Sequence, residues 1–151
     1  MITEITGNIL ESNAEAIVNP VNCVGVMGKG LALQSKRAYP ENFFAYAAAC
    51  RSEEVKLGSM FVFARNTIGN PKWIINFPTK DHWRNSSRLE YIRDGLADLR
   101  TIIANLGLTS IAVPALGTGN GGLNWNEVRS TIRKGLGELE HVEIKLYTPA
   151  D

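Results

Sequence analysis

Apolar and polar positions change period repeatedly along this chain of 151 residues, and each change marks an element. Residues 2–6 alternate in the manner of a half-buried strand. Residues 16–21 form a short, nearly unbroken apolar run closed by Asn22, the pattern of a strand buried on both faces. A helix is predicted from about residue 31 to 39. Pro40 stops it and opens another over 41–50, with Phe43, Tyr46, Ala47 and Cys50 on one face. Residues 60–65 and 72–77 read as two strands joined by a turn over 66–71. Ser87 with Glu90 reads as a capping box for the longest helix. Its Leu89, Ile92, Leu96, Leu99, Ile102, Ile103 and Leu106 trace one apolar stripe, and Gly107 is its stop. A strand over 110–113, a helix over 124–139 opened by Asn124 with Glu127, and a strand over 142–147 complete the set. Strands alternating with helices, without repeat or linker, imply one α/β domain with a mostly parallel or mixed central sheet.

Glycine clusters punctuate this pattern at two strand ends. After the apolar run at 111–113 and Pro114 come Gly117, Gly119, Gly121 and Gly122, directly before the helix at Asn124. After Asn22 come Gly25, Gly28 and Gly30. Such loops reach left-handed turns and bring bare N–H groups against a ligand, so between a strand and a helix they suit phosphate. A flexible turn is the plainer reading of either one. Asn22 sits where its amide can donate to and accept from a sugar hydroxyl, or can cap its own turn. Neither loop is a P-loop: residues 25–30 lack the four-residue glycine spacing and the Ser or Thr after Lys29. Neither matches a dinucleotide fingerprint well. In an α/β sheet both belong on the rim where strands end, which is where ligands bind.

Composition narrows the function classes. Sixteen Lys and Arg against fifteen Asp and Glu leave a net charge of +1, so any nucleic-acid contact is short and local. Two cysteines, Cys23 and Cys50, and two histidines, His82 and His141, without ligand spacing argue against a disulfide scaffold and against structural zinc. No metal and no cofactor is called for. The N-terminus lacks a signal-peptide pattern, and no apolar run approaches the ~20 residues of a membrane span. A cytoplasmic chain and a monomer are the expectations. No convincing Ser-His-Asp set is present, which disfavours acyl transfer. Glu4, Glu11 and Glu15 fit a solvated surface as well as paired carboxylates.

The third candidate segment is Asn76-Phe-Pro-Thr-Lys-Asp-His-Trp83. Lys80 lies just beyond a strand end, near where the glycine loops converge, with Thr79, Asp81 and His82 beside it. It reads either as a solvated surface charge or as a nucleophile or base. Trp83 and Arg84 read either as a stacking platform for a base or, for Trp83, as core packing.

Together, residues 6–10, 16–22, 25–32 and 114–125 resemble the macrodomain family in the right order over almost the whole chain. The resemblance implies a three-layer α/β/α sandwich with a mixed central sheet that binds ADP-ribose, with residues 1–151 forming a single domain. It implies adenine near Asn8 and Ile9. It implies the distal ribose against Asn22, Gly28, Lys29, Gly30, Leu31 and Ala32, with Thr79 alongside. The diphosphate is implied across Gly117, Thr118, Gly119, Asn120, Gly121, Gly122 and Leu123.

Residues 27–32 and Thr79-Lys80 look most like the DarG-type branch, DNA ADP-ribosyl glycohydrolases that serve as antitoxins. That resemblance implies Lys80 as the catalytic residue, with Asp81 and His82 as candidates to assist it; His82, Trp83 and Arg84, read from the residues themselves, are the expected contacts to single-stranded DNA. Lys80 is then expected to act at the anomeric carbon of the distal ribose, by attack or by assisting departure of thymine. A cognate DarT-type toxin is the implied partner, contacted through a region that this sequence does not contain, so the chain reads as an excised N-terminal domain of a longer antitoxin. Two departures from the wider family stand out: Asn8 replaces a common Asp, and Gly121 stands where protein-deglycosylating relatives carry an acidic residue. A hydrolase of ADP-ribosylated protein side chains or small ADP-ribose derivatives, and a non-catalytic ADP-ribose reader, are the competing readings.

Overall fold

A computed structural model describes residues 1–149. Six strands form one mixed sheet: β1 (Ile2–Ile5), β2 (Ala16–Val21), β3 (Phe61–Ala64), β4 (Trp73–Pro78), β5 (Ser110–Val113) and β6 (Glu143–Tyr147). Four helices cover it: α1 (Gly30–Ala38), α2 (Pro40–Arg51), α3 (Leu89–Leu106) and α4 (Trp125–Leu136). The strand order is β1-β6-β5-β2-β4-β3, with only β3 antiparallel to its neighbour.

Side-chain alternation builds the three layers. Ala16, Val18, Ile75, Phe77, Ile111, Val113, Ile144 and Leu146 face one side and pack against the stripes of α3 and α4. Their neighbours Ile17, Ile74 and Ala112 face the other side, against Leu31 and Tyr39. Further along that side, Val21 and Met27 pack on Tyr46 and Ala49 of α2. Strands β2, β4 and β5 are thus largely apolar on both faces, which accounts for their near-continuous hydrophobic runs, interrupted at Asn19 and Asn76. The sandwich expected from the sequence is the one found.

Element ends show where local signals compete with packing. Pro40 occupies the first turn of α2, and Gly107 ends α3 in a left-handed conformation at φ 61°. Asn124 caps α4, its side-chain oxygen accepting from Glu127 N at 3.3 Å. The capping box expected at Ser87 is not formed. Arg88 is the N-cap of α3, and the Ser87 hydroxyl instead donates to the carbonyl of Thr79. Helix α4 stops at Leu136 rather than near 139. No helix among the described residues is long and apolar enough to cross a membrane.

Topology fixes where a ligand can sit. After β2 the chain proceeds through α1 and α2 to β3 and β4 on one side. After β5 it passes through α4 to β6 on the other. The adjacent β2 and β5 are therefore the point where the winding reverses, and the loops following them flank a crevice at the carboxyl ends of the strands.

Candidate functional site

Those two loops are the glycine loops. Asn22–Lys29 leads from β2 to α1, and residues 114–124 lead from β5 to α4. They touch across the crevice: a Cβ added to Gly30 would lie 3.7 Å from Asn120 Nδ2. In the second loop Gly117, Gly119 and Gly122 all have positive φ (73°, 49° and 79°), conformations that a side chain would strain. A Cβ on Gly119 or Gly122 would meet nothing within 4 Å, so the space beside that backbone is open. Thr118 anchors the turn by donating from its hydroxyl to Ala115 O at 2.8 Å, and Leu123 N closes it on Gly117 O at 2.9 Å. Across the crevice, Lys29 is the N-cap of α1 and supplies no side-chain cap. The first N–H groups of that helix, at Gly30, Leu31 and Ala32, thus keep the anion-attracting character of an uncapped N-terminus.

Asn22 is committed largely to its own loop. Its side-chain oxygen accepts from Val24 N (3.1 Å) and Val26 N (3.4 Å), while Nδ2 donates to Val26 O (2.8 Å). Capping a turn and facing a sugar were alternatives in the sequence; the structure shows the cap, with the second Nδ2 hydrogen left over. Asn8 is likewise engaged locally, as N-cap of the short 3-10 helix Ile9–Glu11, accepting from Leu10 N at 3.0 Å. Ile9 is buried below it in the same apolar cluster as Leu31, so the first strand's loop and the start of α1 share a floor.

The third loop, carrying Lys80, is stitched to both of the others. Thr79 N donates to Val21 O (2.9 Å), and Cys23 N to Asp81 O (3.0 Å). The Cys23 thiol lies 3.8 Å from Lys80 O. Burial pushes that thiol up to about 11, which leaves it a protonated donor rather than a nucleophile. On the other flank, buried Ser87 bonds Thr79 O through its hydroxyl and Gly121 O through its N–H (3.0 Å). The lysine's backbone is therefore held between the loop expected to take ribose and the loop expected to take diphosphate.

Around Lys80 the loop braces itself. Lys80 is half-buried as a residue, and its Nζ donates to Trp83 O at 3.3 Å in an exposed hydrogen bond within the loop. Asp81 Oδ1 accepts from His82 N (2.8 Å) and Asn85 Nδ2 (2.9 Å), and the Asn85 hydrogen bond leads in holding its carboxyl below the ordinary value. His82 Nδ1 accepts from Arg84 N at 3.1 Å. Trp83 is 48% exposed, which overturns core packing as its role. It is not bare, however: the Arg84 guanidinium sits 4.9 Å from its ring centre and His82 stacks obliquely at 5.2 Å.

Gly121 acquires a physical reason. It is buried, and a Cβ there would press to 3.1 Å against Ser87 Cβ, while one on Gly117 would come within 2.7 Å of Leu123 Cδ1. With Ser87 tied underneath, the position has little room for a carboxylate side chain. Among the described residues no group of three or more His, Cys, Asp or Glu is placed to hold a metal.

Several residues that build this site carry no separate signal in the sequence. Tyr46 and Ser87 read as an apolar-face residue and a helix cap, yet both reach into the loops. Asn19, Asn42 and Asn76 form a buried hydrogen-bonded set between β2, α2 and β4. The one hint was polarity inside otherwise apolar strands, at Asn19 and Asn76.

Comparison with known proteins agrees with the geometry. The Macro domain family model matches residues 18–132. A protein named DNA ADP-ribosyl glycohydrolase from Thermus aquaticus is 51% identical over 151 residues, spanning all of this chain and 42% of that protein. Its counterpart of the same name in Mycobacterium tuberculosis is 51% identical over 150 residues, 99% of this chain and 43% of that one. The chain thus spans less than half the length of these relatives. Among solved structures, the macrodomain of Mycobacterium tuberculosis DarG superposes with a TM-score of 0.98 at 51% identity, covering 99% of both chains. Thermosipho africanus DarTG, solved in complex with ADP-ribose, gives 0.91 at 33% identity over 98% of this chain and 41% of that one. A model match over most of the length, with half of all residues shared across it, leaves one conclusion: the chain belongs to the Macro domain family.

Proposed function

We propose that this chain is the catalytic domain of a DNA ADP-ribosyl glycohydrolase, removing ADP-ribose from thymine in single-stranded DNA and acting as antitoxin to a DarT-type DNA ADP-ribosyltransferase. The observation that carries this reading is the stitching of the Lys80 loop to Val21 and Cys23 on one side and, through Ser87, to Gly121 on the other. A mere reader of ADP-ribose has no need for a lysine whose backbone is anchored between its ribose and phosphate loops. The names of the relatives that match over the full chain point the same way.

In this reading the open backbone beside Gly119 and Gly122 and the start of α1 hold the diphosphate, and the turn organised by Asn22 takes the distal ribose. Binding the distant adenosine half then fixes the anomeric carbon near Lys80, and such positioning supplies several kcal/mol of the barrier reduction. As a free amine, Nζ adds to the anomeric carbon while the bond to thymine breaks with its electron pair on the base nitrogen. That nitrogen takes the proton lost by the amine. The resulting glycosylamine opens its sugar ring to an imine, the ring oxygen taking the remaining amine proton, and water hydrolyses that imine to return the amine and ADP-ribose. Alternatively water attacks directly, and the Lys80 ammonium assists departure of the base. Borohydride during turnover separates the routes, since only the first leaves a reduced adduct on Lys80.

His82, Trp83 and Arg84 form the contact to the base's neighbours. With the guanidinium already over the indole, a nucleobase stacks on the free face or extends the stack, and such contacts contribute ~1–3 kcal/mol per base. The test is incubation with an ADP-ribosylated thymidine oligonucleotide and, separately, with ADP-ribosylated protein. Release from the oligonucleotide supports the proposal; release from protein alone overturns it in favour of a protein-directed hydrolase, and release from neither in favour of a reader.

A further inference from the structure

Helix α2 contributes no side chain to the rim, yet it governs how Asn22 is presented. Tyr46 is fully buried, and its hydroxyl lies 2.8 Å from Asn22 O and 2.7 Å from Asn22 Oδ1. Among the described residues, Oδ1 is met by Val24 N–H, Val26 N–H and the phenol. An amide nitrogen in that position would face two backbone N–H groups, so they dictate the orientation of the amide, and the single phenol hydrogen is shared between Oδ1 and the Asn22 carbonyl. Nδ2 points the other way, gives one hydrogen to Val26 O and retains one.

We propose that Tyr46 is a positioning residue for the reaction: by clamping Asn22 at both oxygens it aims the remaining Nδ2 hydrogen at the distal ribose and so sets the angle at which the anomeric carbon meets Lys80. This rests on the placement of the distal ribose proposed above.

Two further features support a dedicated clamp rather than incidental packing. Burial pushes the phenol far above its ordinary range, so the hydroxyl keeps its hydrogen at every working pH. The ring itself is held by a rigid seat. Asn42, one turn earlier on α2, exchanges hydrogen bonds with Asn76 of β4 (3.1 and 2.8 Å), and Asn76 in turn accepts from Asn19 of β2 at 3.2 Å. Gly25, at the tip of the Asn22 turn, lies directly on this helix: an added Cβ would be 3.6 Å from both Ala47 Cα and Cys50 Cβ. Helix, strand and loop are therefore locked in register, with the phenol as the polar contact at the joint.

The test is Tyr46→Phe, which keeps the ring and deletes one oxygen. With the oligonucleotide substrate, kcat is expected to fall roughly tenfold while the ADP-ribose Kd changes by less than about threefold, since misaim costs rate before it costs affinity. The Asn22 side-chain amide resonances should shift toward the values of an unrestrained asparagine. Ile103→Val, at the far end of α3, serves as a control for general destabilisation and should leave kcat unchanged. Wild-type kcat in Tyr46→Phe, or an equal loss in Ile103→Val, overturns the proposal. Should Tyr46→Phe fail to fold, the wild-type protein decides: a Tyr46 hydroxyl hydrogen that exchanges slowly enough to be observed, close to Asn22, supports the clamp, and one lost to rapid solvent exchange overturns it. If Lys80→Ala is inactive while Tyr46→Phe is fully active, only this inference fails. If Lys80→Ala remains active, the reading beneath it fails as well.

Discussion

At the scale of single residues, what matters here is the economy of each polar atom. Asn22 read as a sugar contact or a cap, the family resemblance put Asn8 near adenine, and Asp81 stood beside Lys80; all three spend an oxygen on their own turns. Sequence shows which side chain is present but not which neighbour claims it. Asp81 illustrates the consequence. Its carboxyl is held below its ordinary value of 3.8, chiefly by Asn85, so it stays ionised at neutral pH and has no proton to give. Asp81→Asn should therefore retain activity within about threefold with an unshifted pH profile, whereas loss of a general acid would cost roughly a hundredfold or more.

Glycines give the complementary lesson. Their clustering was legible, but the contact each one permits was not. Gly117 and Gly107 both have positive φ, yet a Cβ on Gly117 meets Leu123, Ser87 and Ile92 while one on Gly107 meets nothing. Gly107→Ala should cost about 1 kcal/mol from strain alone. Gly117→Ala should cost at least about 2 kcal/mol and weaken ADP-ribose binding, because overpacking adds to strain. Thermal melts of the pair check this; equal losses would mean that the crowding beneath the phosphate loop is relieved without cost.

At the scale of elements, the periodicities carried most of the information. The stripe on α3 and the near-continuous apolar runs of β2, β4 and β5 follow from burial against one or two layers, and burial is written in apolar spacing. Helix starts were less legible because two candidate caps had different fates. Asn124 caps α4, while Ser87, equally plausible, is drawn off by the Thr79 carbonyl and the Gly121 carbonyl. Tertiary partners outbid the local motif. Asn124→Ala should therefore lower stability by ~1 kcal/mol, read as a Tm drop of roughly 2–4 °C. Ser87→Ala should instead lower turnover, since the strut it removes joins the Lys80 loop to the glycine loop after β5.

At the scale of the molecule, the crevice is a consequence of winding order. Reversal between β2 and β5 gathers three loops at one rim, and alternating strand and helix signals sufficed to anticipate a rim site. They did not reveal how the loops join, because Val21 to Thr79 and Cys23 to Asp81 are contacts across nearly sixty residues of sequence. The opposite rim carries structural charges. Glu15 is held below its ordinary value of 4.5, first by Thr109's backbone N–H and then by its hydroxyl. A depressed native value means that its stabilisation is complete above that ordinary value and is lost as pH falls through the native one. Tm should be level from neutrality down to about pH 5 and drop below it, and Glu15→Gln should flatten the drop.

The central claim is that one amine, on a loop whose backbone is tied to the two glycine loops proposed to hold the substrate, does the chemistry. Lys80→Ala examined by ADP-ribose calorimetry and by release from ADP-ribosylated thymidine oligonucleotide tests it most directly. Binding should persist within about threefold of the intact protein while turnover disappears, because the phosphate and ribose loops are separate from the amine they position. Turnover that survives the substitution would contradict the account.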